Sequence, residues 1–304
     1  MMTLLSRLGV GTFGRRLLGV RLGLFHQYPP RALSVERLAS PVAGEAALPS
    51  IAMVTPSYNQ ARFVGQTVES VLAQGYPRLE YVVQDAQSDD GSAQVLAPFA
   101  SRGVDVRIEK DAGQADAVNR GFARTGGEVM AYLNSDDWLL PGTLLLVGRH
   151  FRDHPETDVV YGNRLVVDEE GREVGRWVLP GHAPDVLRFI DYIPQESLFW
   201  RRRIWEKAGA RLDASLQFAL DWDLLLRFME AGAQIDHLPG LFGVFRTHGA
   251  QKTRAQFAAI GAREMATVRS RYGRAVPGVL GRARLHWQFL SRHREADRQT
   301  GYAT

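Results

Sequence analysis

Short apolar runs alternate along the first half of the chain with segments whose apolar residues recur at helical spacing. Each run is five or six residues long and ends in polar or turn-forming residues, as buried strands do. The predicted strands are 50–54, 79–83, 104–109 and 129–133. The predicted helices between them are 63–73, a segment that ends at Ala100, and 115–125. This alternation predicts an α/β fold with a parallel sheet and helices on both faces.

Polar clusters follow three of these strands. Thr55–Asn59 comes after the first strand, Asp85 ends the second, and Asn134–Asp137 follows the fourth. Ligands of parallel sheets bind beyond the carboxyl ends of the strands. The sequence therefore predicts a binding site at this edge of the sheet.

The second half of the chain is less regular. Its predicted strands are 159–162, 165–167, 173–179 and 234–238, and its predicted helices are 204–208, 220–231 and an Ala/Arg-rich stretch from about 253 to the end. These patterns divide the chain into three parts. They are an N-terminal extension (1–48), a central domain (49–251) and a helical C-terminal extension (252–304).

Charge is distributed unevenly over these parts. The formal net charge is +4, but residues 1–48 carry 6 arginines against 2 acids, and residues 252–304 carry 11 basic residues against 3 acids. The central domain therefore has a net charge of −8. In the N-terminal extension arginines interrupt every apolar run, so neither a transmembrane helix nor a cleaved signal peptide is expected. Two interpretations stay open for this segment: a basic amphipathic segment on an anionic membrane surface, or a helix packed on the central domain.

Missing residues and motifs exclude several chemistries. Without cysteine there is no disulfide, thiolate zinc site or cysteine nucleophile. The sequence has neither a glycine-rich dinucleotide fingerprint after the first strand nor a phosphate-binding loop motif, and it has no Gly-x-Ser-x-Gly nucleophile motif.

The remaining candidates each have two interpretations. Asp136 would either bind a divalent cation, which prefers oxygen ligands, or cap the helix that follows. Asp221 would either stabilise the start of an apolar helix or act in catalysis, and His248 would be either a structural donor or a ligand. The arginines 201–203 would either hold phosphates or be structural.

Taken together and in order, these segments resemble the family 2 glycosyltransferases, nucleotide-sugar-dependent enzymes of the GT-A fold. The resemblance extends from about Pro49 to Thr253, some two-thirds of the chain. The motifs that carry it are Val54–Gln60, Ser70–Gln74, Asp85–Gly91, Gly113–Gly121, Gly127–Val129, Leu133–Asp137, Asp221–Leu224 and Arg246–His248. It implies a mostly parallel sheet flanked by helices, to which the residue patterns on either side add helical N- and C-terminal extensions.

The resemblance also assigns roles to single residues. Asp136 ends a motif like the family's Asp-x-Asp and, with His248, would hold Mg²⁺ or Mn²⁺ on the donor diphosphate. Asp221 falls where the family keeps its general base, and Asp85 would accept a hydrogen bond from the nucleotide base, typically uracil. The residues that would form the nucleotide-sugar site are Thr55, Pro56, Tyr58, Asn59, Asp85, Asp116, Asn134 and Ser135.

The implied function is transfer of a sugar, with inversion, from a nucleoside-diphosphate sugar to an acceptor hydroxyl in surface polysaccharide or glycan assembly. A UDP-sugar is the expected donor, and the acceptor would be a carbohydrate or a lipid-linked molecule. The expected location is the cytoplasm, with the basic extensions on the inner face of the membrane as an open interpretation.

Two departures from the family's pattern support an alternative. Asn134 replaces the first acid of the metal motif, and Leu220 replaces the glutamate that often precedes the base. Both favour a non-catalytic nucleotide-sugar-binding protein. Nucleic-acid binding is not expected, because the basic residues lie outside the central domain and no recognition motif is present.

Overall fold

The computed structural model describes residues 25–34, 38–40, 46–248, 260–272 and 278–300. Its strands are β1 Phe25–Arg31, β2 Ile51–Ser57, β3 Leu79–Asp85, β4 Val104–Ile108, β5 Val129–Tyr132, β6 Trp138–Leu139, β7 Val159–Val167, β8 Glu173–Trp177, β9 Leu198–Arg201 and β10 Ile235–Arg246. Its α-helices are α1 Val64–Leu72, α2 Ser92–Ala100, α3 Gln114–Ala123, α4 Thr143–Asp153, α5 Pro184–Leu187, α6 Arg202–Lys207, α7 Leu220–Glu230, α8 Ala262–Arg271 and α9 Val279–Thr300. A short 3₁₀ turn, Gln195–Ser197, precedes β9.

One mixed sheet runs through the molecule in the order β1-β8-β7-β9-β5-β2-β3-β4. The pairs β2–β3, β2–β5 and β3–β4 are parallel, so the four strands predicted in the first half form a parallel unit. Antiparallel β9 joins this unit to β7, and β10 pairs parallel with β7 and antiparallel with β6. The predicted α/β class, with a mostly parallel central sheet flanked by helices, is confirmed.

Strand residues alternate between two apolar layers, one on each face of the sheet. Val54 and Met130 face a layer built with α3, α6 and α7, whereas Met53 and Ala131 face a layer built with α1, α2 and α4. Helix α3 approaches the sheet so closely that a Cβ on Gly121 would lie 2.5 Å from Val54 Cγ1. The helices therefore cover both faces and leave the strand ends open.

Two sequence predictions for the central domain were wrong. The predicted strands 159–162 and 165–167 are one strand, β7, because the polar residues between them have partners that allow them inside a sheet. Asn163 accepts from the backbone N–H of Leu179 at 2.9 Å, and Arg164 forms an ion pair with Glu196. The predicted strand 234–238 continues to Arg246 as β10, because its second half pairs with the continuous β7.

The prediction of a helical N-terminal extension was also wrong where the structure describes that segment. Residues Phe25–Arg31 form β1, which pairs antiparallel with β8. Its side chains supply partners for a buried carboxylate: Tyr28 donates to Glu173, and the Arg31 guanidinium lies 2.8 Å from the same side chain. The amphipathic-helix interpretations of residues 1–24 lie outside the described residues.

The described part of the C-terminal extension is helical, as predicted, and packs on the central domain. Val268 of α8 and Phe289 of α9 belong to the same apolar layer as Trp222 of α7. Glu264 of α8 accepts hydrogen bonds of 2.8–3.1 Å from three consecutive backbone N–H groups, those of residues 217–219, just before α7 begins. Within the described part of the chain, none of the helices has the length and apolar character needed to cross a bilayer.

Candidate active site

A cavity of about 800 Å³ lies at the carboxyl ends of the parallel strands. The loops after β2, β3, β4 and β5 form its walls, and β10 closes one side. Seven of the eleven predicted site residues line it: Pro56, Tyr58, Asn59, Asn134, Ser135, Asp136 and His248. The prediction of a binding site beyond the carboxyl ends of the parallel strands therefore located the cavity.

Asp136 and His248 meet across the cavity although 112 positions separate them in the sequence. Their Oδ2 and Nε2 atoms lie 3.0 Å apart, and their side chains are 18% and 5% exposed. Octahedral Mg²⁺ has bonds of about 2.1 Å, so adjacent ligand atoms lie about 3.0 Å apart. The two atoms are hydrogen-bonded to each other, and their spacing matches one edge of a divalent-cation site once the proton between them is released. Among the described residues, no group of three or more His, Asp or Glu side chains is placed to hold a metal ion.

Hydrogen bonds to Thr67 and Arg246 hold the turn that carries Asp136. The Thr67 hydroxyl lies 2.9 Å from the carbonyl of Ser135 and 2.7 Å from that of Asp137. The Asp137 carboxylate accepts from the backbone N–H of Arg246 at 3.1 Å, and burial raises the pKa of that carboxyl well above its usual range, as does the neighbouring Asp136. Asp137 therefore supports the turn, whereas Asp136 faces the cavity.

Three predicted nucleotide-site residues do not line the cavity. Thr55 is fully buried and its hydroxyl lies 2.9 Å from that of Tyr81. Both carboxylate oxygens of Asp85, also fully buried, accept from Ser88 at 2.8 Å. Asp116 accepts from the backbone N–H of Ala112 at 2.9 Å. Each of the three is adjacent in sequence to a residue that does line the cavity.

Sequence reasoning missed several lining residues. Ala86 and Gln87 follow Asp85 at the end of β3, and Lys110, Asp111 and Gln114 follow the end of β4. The signal was present, since β4 runs parallel to β3 and its end points to the same edge.

Asp221 lies outside the cavity lining, in the first turn of α7. Burial raises the pKa of its carboxyl to about 6. Its Oδ1 accepts from the N–H of the next residue, Trp222, at 2.9 Å, while Glu264 accepts from the N–H groups before the helix. Burial, followed by the charge of Asp221, also raises the pKa of Asp191 well above its usual range. The charges of these two buried carboxyls therefore interact.

A buried ion pair, missed by sequence reasoning, lies near these carboxyls. Arg164 Nε and Nη2 lie 2.5 and 2.7 Å from the two oxygens of Glu196, whose side chain is 1% exposed. The guanidinium also packs against the rings of Trp177 and Phe245, with its central carbon 5.4 and 4.5 Å from the ring centroids. A Cβ on Gly243 would lie 2.7 Å from the Glu196 carbonyl oxygen, so only glycine allows β10 to pass here.

The arginines 201–203 have structural partners. Arg201 Nε donates to the carbonyl of Thr157 at 2.8 Å, and Arg202 Nε donates to that of Gly127 at 2.8 Å. Arg203 forms an ion pair with Asp158 at 2.7 Å. The structural interpretation of these arginines therefore holds over the phosphate-binding one.

The family model described as Glycosyl transferase family 2 matches residues 52–216, more than half of the chain. The chain belongs to this family. Its matched region includes the loops after β2, β3, β4 and β5, and ends before α7 and the His248 end of β10.

Relatives of this family 2 chain include proteins named for the biosynthesis of O-antigen and of PGL/p-HBAD. It is 29% identical over 195 residues to the O-antigen biosynthesis protein RfbC of Myxococcus xanthus, which covers 62% of this chain and 15% of RfbC. It is 27% identical over 185 residues to a PGL/p-HBAD biosynthesis glycosyltransferase of Mycobacterium bovis, covering 60% and 70% of the two chains. The chain spans between 15% and 52% of the length of the first three curated relatives it matches.

Solved structures show the same fold. TarS 1-349 of S. aureus, in complex with UDP-GlcNAc, superposes with a TM-score of 0.59 at 16% identity, covering 83% of this chain and 75% of that one. The mannosyltransferase PcManGT of Pyrobaculum calidifontis, in complex with GDP-Man and Mn²⁺, has a TM-score of 0.59 at 18% identity, covering 99% and 87%. The GT-A fold expected for a family 2 chain is thereby confirmed.

Proposed function

We propose that this chain transfers a sugar, with inversion, from a nucleoside-diphosphate sugar to an acceptor hydroxyl in the assembly of a cell-surface polysaccharide. The observation that carries the proposal is the cavity at the strand ends, where the Asp136–His248 pair faces the loop after β2. Family membership and the names of the relatives support the same reaction class.

The nucleotide would lie against the loops after β2 and β3. Tyr58, with 62% of its surface exposed, offers a ring for stacking on a base, beside Pro56 and Asn59. Asp85 would act indirectly, because it binds Ser88, whose hydroxyl in turn accepts from the N–H of Asn59 at 2.8 Å. Asp116 would likewise hold the loop that carries Lys110. A UDP-sugar remains our expected donor.

Asp136 and His248 would hold the divalent cation, Mg²⁺ or Mn²⁺. When bound, it neutralises the negative charge that develops on the diphosphate as the sugar leaves. The two side chains supply one carboxylate and one imidazole, so diphosphate oxygens and water would complete the coordination.

Asp221 would take the proton of the acceptor hydroxyl. A general base works best when its pKa lies near the working pH, and a pKa of about 6 leaves Asp221 mostly ionised at pH 7. Attack from the side opposite the diphosphate inverts the anomeric centre without a covalent enzyme intermediate.

The acceptor would be a carbohydrate or a lipid-linked molecule, and α9 would contact an anionic membrane. This helix exposes Leu280 and Trp287, two turns apart, by 86% and 66%, and Arg284 and Arg294 are exposed on the same helix. Co-sedimentation with phosphatidylglycerol vesicles should fall for Trp287→Ser and for Arg284→Gln/Arg294→Gln, but not for the exposed control Gln288→Ser. Equal sedimentation of all variants would refute this contact.

Thermal-shift screening tests the donor site directly. UDP-, GDP- and dTDP-sugars are added with and without Mn²⁺ to wild type, to Asp136→Ala and to the exposed control Asp153→Asn. A ligand at 100 times its dissociation constant adds about 2.7 kcal/mol, which raises the melting temperature of a chain of this size by about 5 °C. We expect one nucleotide to raise the melting temperature of wild type and Asp153→Asn, and to do so less for Asp136→Ala. No shift with any donor would refute the proposal.

The second candidate, a nucleotide-sugar-binding protein without transferase activity, is favoured by the position of Asn134, whose amide contacts two other side chains. It predicts the same thermal shifts but no release of nucleoside diphosphate from any donor, with or without acceptor extracts.

A further inference from the structure

Three amide side chains form a hydrogen-bonded relay that begins at the cavity lining and ends in the protein interior. Gln114 Nε2 donates to Asn134 Oδ1 at 2.7 Å, Asn134 Nδ2 donates to Gln195 Oε1 at 3.1 Å, and Gln195 Nε2 donates to the Tyr132 carbonyl at 2.5 Å. Gln114 begins α3 and lines the cavity, whereas Gln195 lies in the 3₁₀ turn before β9. The relay therefore connects the start of α3, which follows β4, to the 3₁₀ turn before β9.

The direction of the relay is fixed at one end. A backbone carbonyl only accepts, so Gln195 must present its NH₂ group to Tyr132 and its oxygen to Asn134. Asn134 must then present its own NH₂ group to Gln195 and its oxygen to Gln114. Each amide orientation follows from the previous one.

Tyr132 needs this bond because its strand neighbour ends too early. The β5–β9 pairing stops at Met130 and Trp200, two residues before Tyr132, which is 2% exposed. A buried carbonyl without a partner is costly, and the 6%-exposed Gln195 side chain takes the place of the missing strand.

We propose that Gln195, acting through Asn134, is a positioning residue that holds the 134–137 turn, and with it Asp136, in the donor cavity. The role in donor binding rests on the proposed function, whereas the role in holding the turn does not. Gln114 completes the relay from the opposite wall.

The relay also gives a reason for asparagine at position 134. Position 134 must donate to Gln195 and accept from Gln114, which an asparagine does and an ionised aspartate does not. Asn134→Asp would place a carboxylate oxygen against Gln195 Oε1. Rotating the Gln195 amide would relieve that contact only by turning its oxygen toward the Tyr132 carbonyl.

Hydrogen exchange tests the turn without any ligand. Gln195→Met removes the relay at similar volume, and we expect the exchange of the 134–137 amides to accelerate about tenfold. Gln74→Met is the matched control, because Gln74 is also a buried glutamine and bonds the carbonyls of Ser70 and Leu140 at 3.0 and 3.1 Å. Unchanged exchange in Gln195→Met, or equal acceleration in both variants, would overturn the proposal.

Titration with UDP and GDP in the presence of Mn²⁺ tests the consequence for the donor site. We expect Gln195→Met to raise the Kd of the bound nucleotide about five- to tenfold and Gln74→Met to leave it unchanged. Asn134→Asp introduced alone should raise the nucleotide Kd. The same substitution should raise the Kd by a smaller factor when Gln195→Met is also present, because the opposing oxygen is then gone. Tighter Mn²⁺-dependent binding by Asn134→Asp would overturn the proposal, because it would make residue 134 a direct metal ligand.

The two failures can be told apart. If wild type binds neither nucleotide, the proposed function fails, and the exchange experiment still decides whether the relay holds the turn. If wild type binds and Gln195→Met binds equally well, the relay fails as a positioning device for the donor site.

Discussion

Removing either partner of the buried Arg164–Glu196 pair should destabilise the fold, and the two removals should cost unequal amounts. Breaking a buried ion pair from one side costs about 3–5 kcal/mol, because it leaves a charge without its partner. Here the side chains are 17% and 1% exposed. At about 2 °C per kcal/mol for a chain of this size, the melting temperature should fall by about 6–10 °C.

The difference between the two losses of stability follows from the neighbouring carboxyls. Burial raises the pKa values of Asp137, Asp191 and Asp221, and the charge of Arg164 opposes that rise, whereas the charge of Glu196 adds to it at Asp137 and Asp221. Arg164→Met therefore leaves a group of uncompensated acids, and Glu196→Gln relieves part of their repulsion. We expect the arginine variant to lie at the upper end of the range, and its deficit to grow between pH 5 and pH 8 as the acids ionise.

Thermal unfolding followed by circular dichroism measures both variants and the double variant Arg164→Met/Glu196→Leu. The double variant should recover much of the loss, since a buried pair replaced by apolar groups is often neutral. Arg102→Met, which breaks the exposed 2.6 Å pair with Glu69, is the control and should melt close to wild type. A loss below about 1 kcal/mol for Arg164→Met, or a larger loss for Glu196→Gln, would refute the reasoning.

Four further predictions follow from single residues. Below pH 6 the kcat/KM for transfer should fall about tenfold per unit, because the base Asp221 must be ionised. Since its folded pKa lies above the ordinary 3.8, ionisation costs stability as pH rises toward 6, so Asp221→Asn should gain up to about 3 kcal/mol in urea unfolding at pH 7 and nothing at pH 3. Glu264→Ala should lose about 1–3 kcal/mol, because three consecutive N–H groups, of which that of Ala219 is buried, lose their acceptor, whereas the exposed Glu295→Ala should not. Gly121→Ala should lose about 1–3 kcal/mol through collision with Val54, whereas Gly126→Ala, with open space around its Cα, should be neutral.

Local patterns in the sequence were sufficient to locate the cavity. Each strand in the first half combines an apolar run with a polar end, and parallel pairing brings these ends together without further information. That is why Tyr58, Asn134 and Asp136 were found before any distance was known. Lys110 and Asp111 follow the same rule and were missed only because their strand carried a weaker polar signal.

The rest of the site depends on contacts that no local pattern contains. Arg164 and Glu196 meet only because β7 and β9 pair in one register, and His248 reaches Asp136 only because β10 runs its full length beside β7. Glu264 shows the same limit, since a helix in the basic extension supports the start of α7. The C-terminal extension, which its sequence marks mainly as basic, therefore also stabilises the central domain.

The most direct test of the central claim is nucleotide release from a panel of UDP-, GDP- and dTDP-sugars with Mn²⁺, in wild type and two variants. We predict release from one donor by wild type, and at least a hundredfold slower release by Asp136→Ala and Asp221→Asn, with melting temperatures at or above that of wild type for the latter at pH 7. Full activity in either variant, or no release from any donor by a wild-type protein that binds it, would contradict the account.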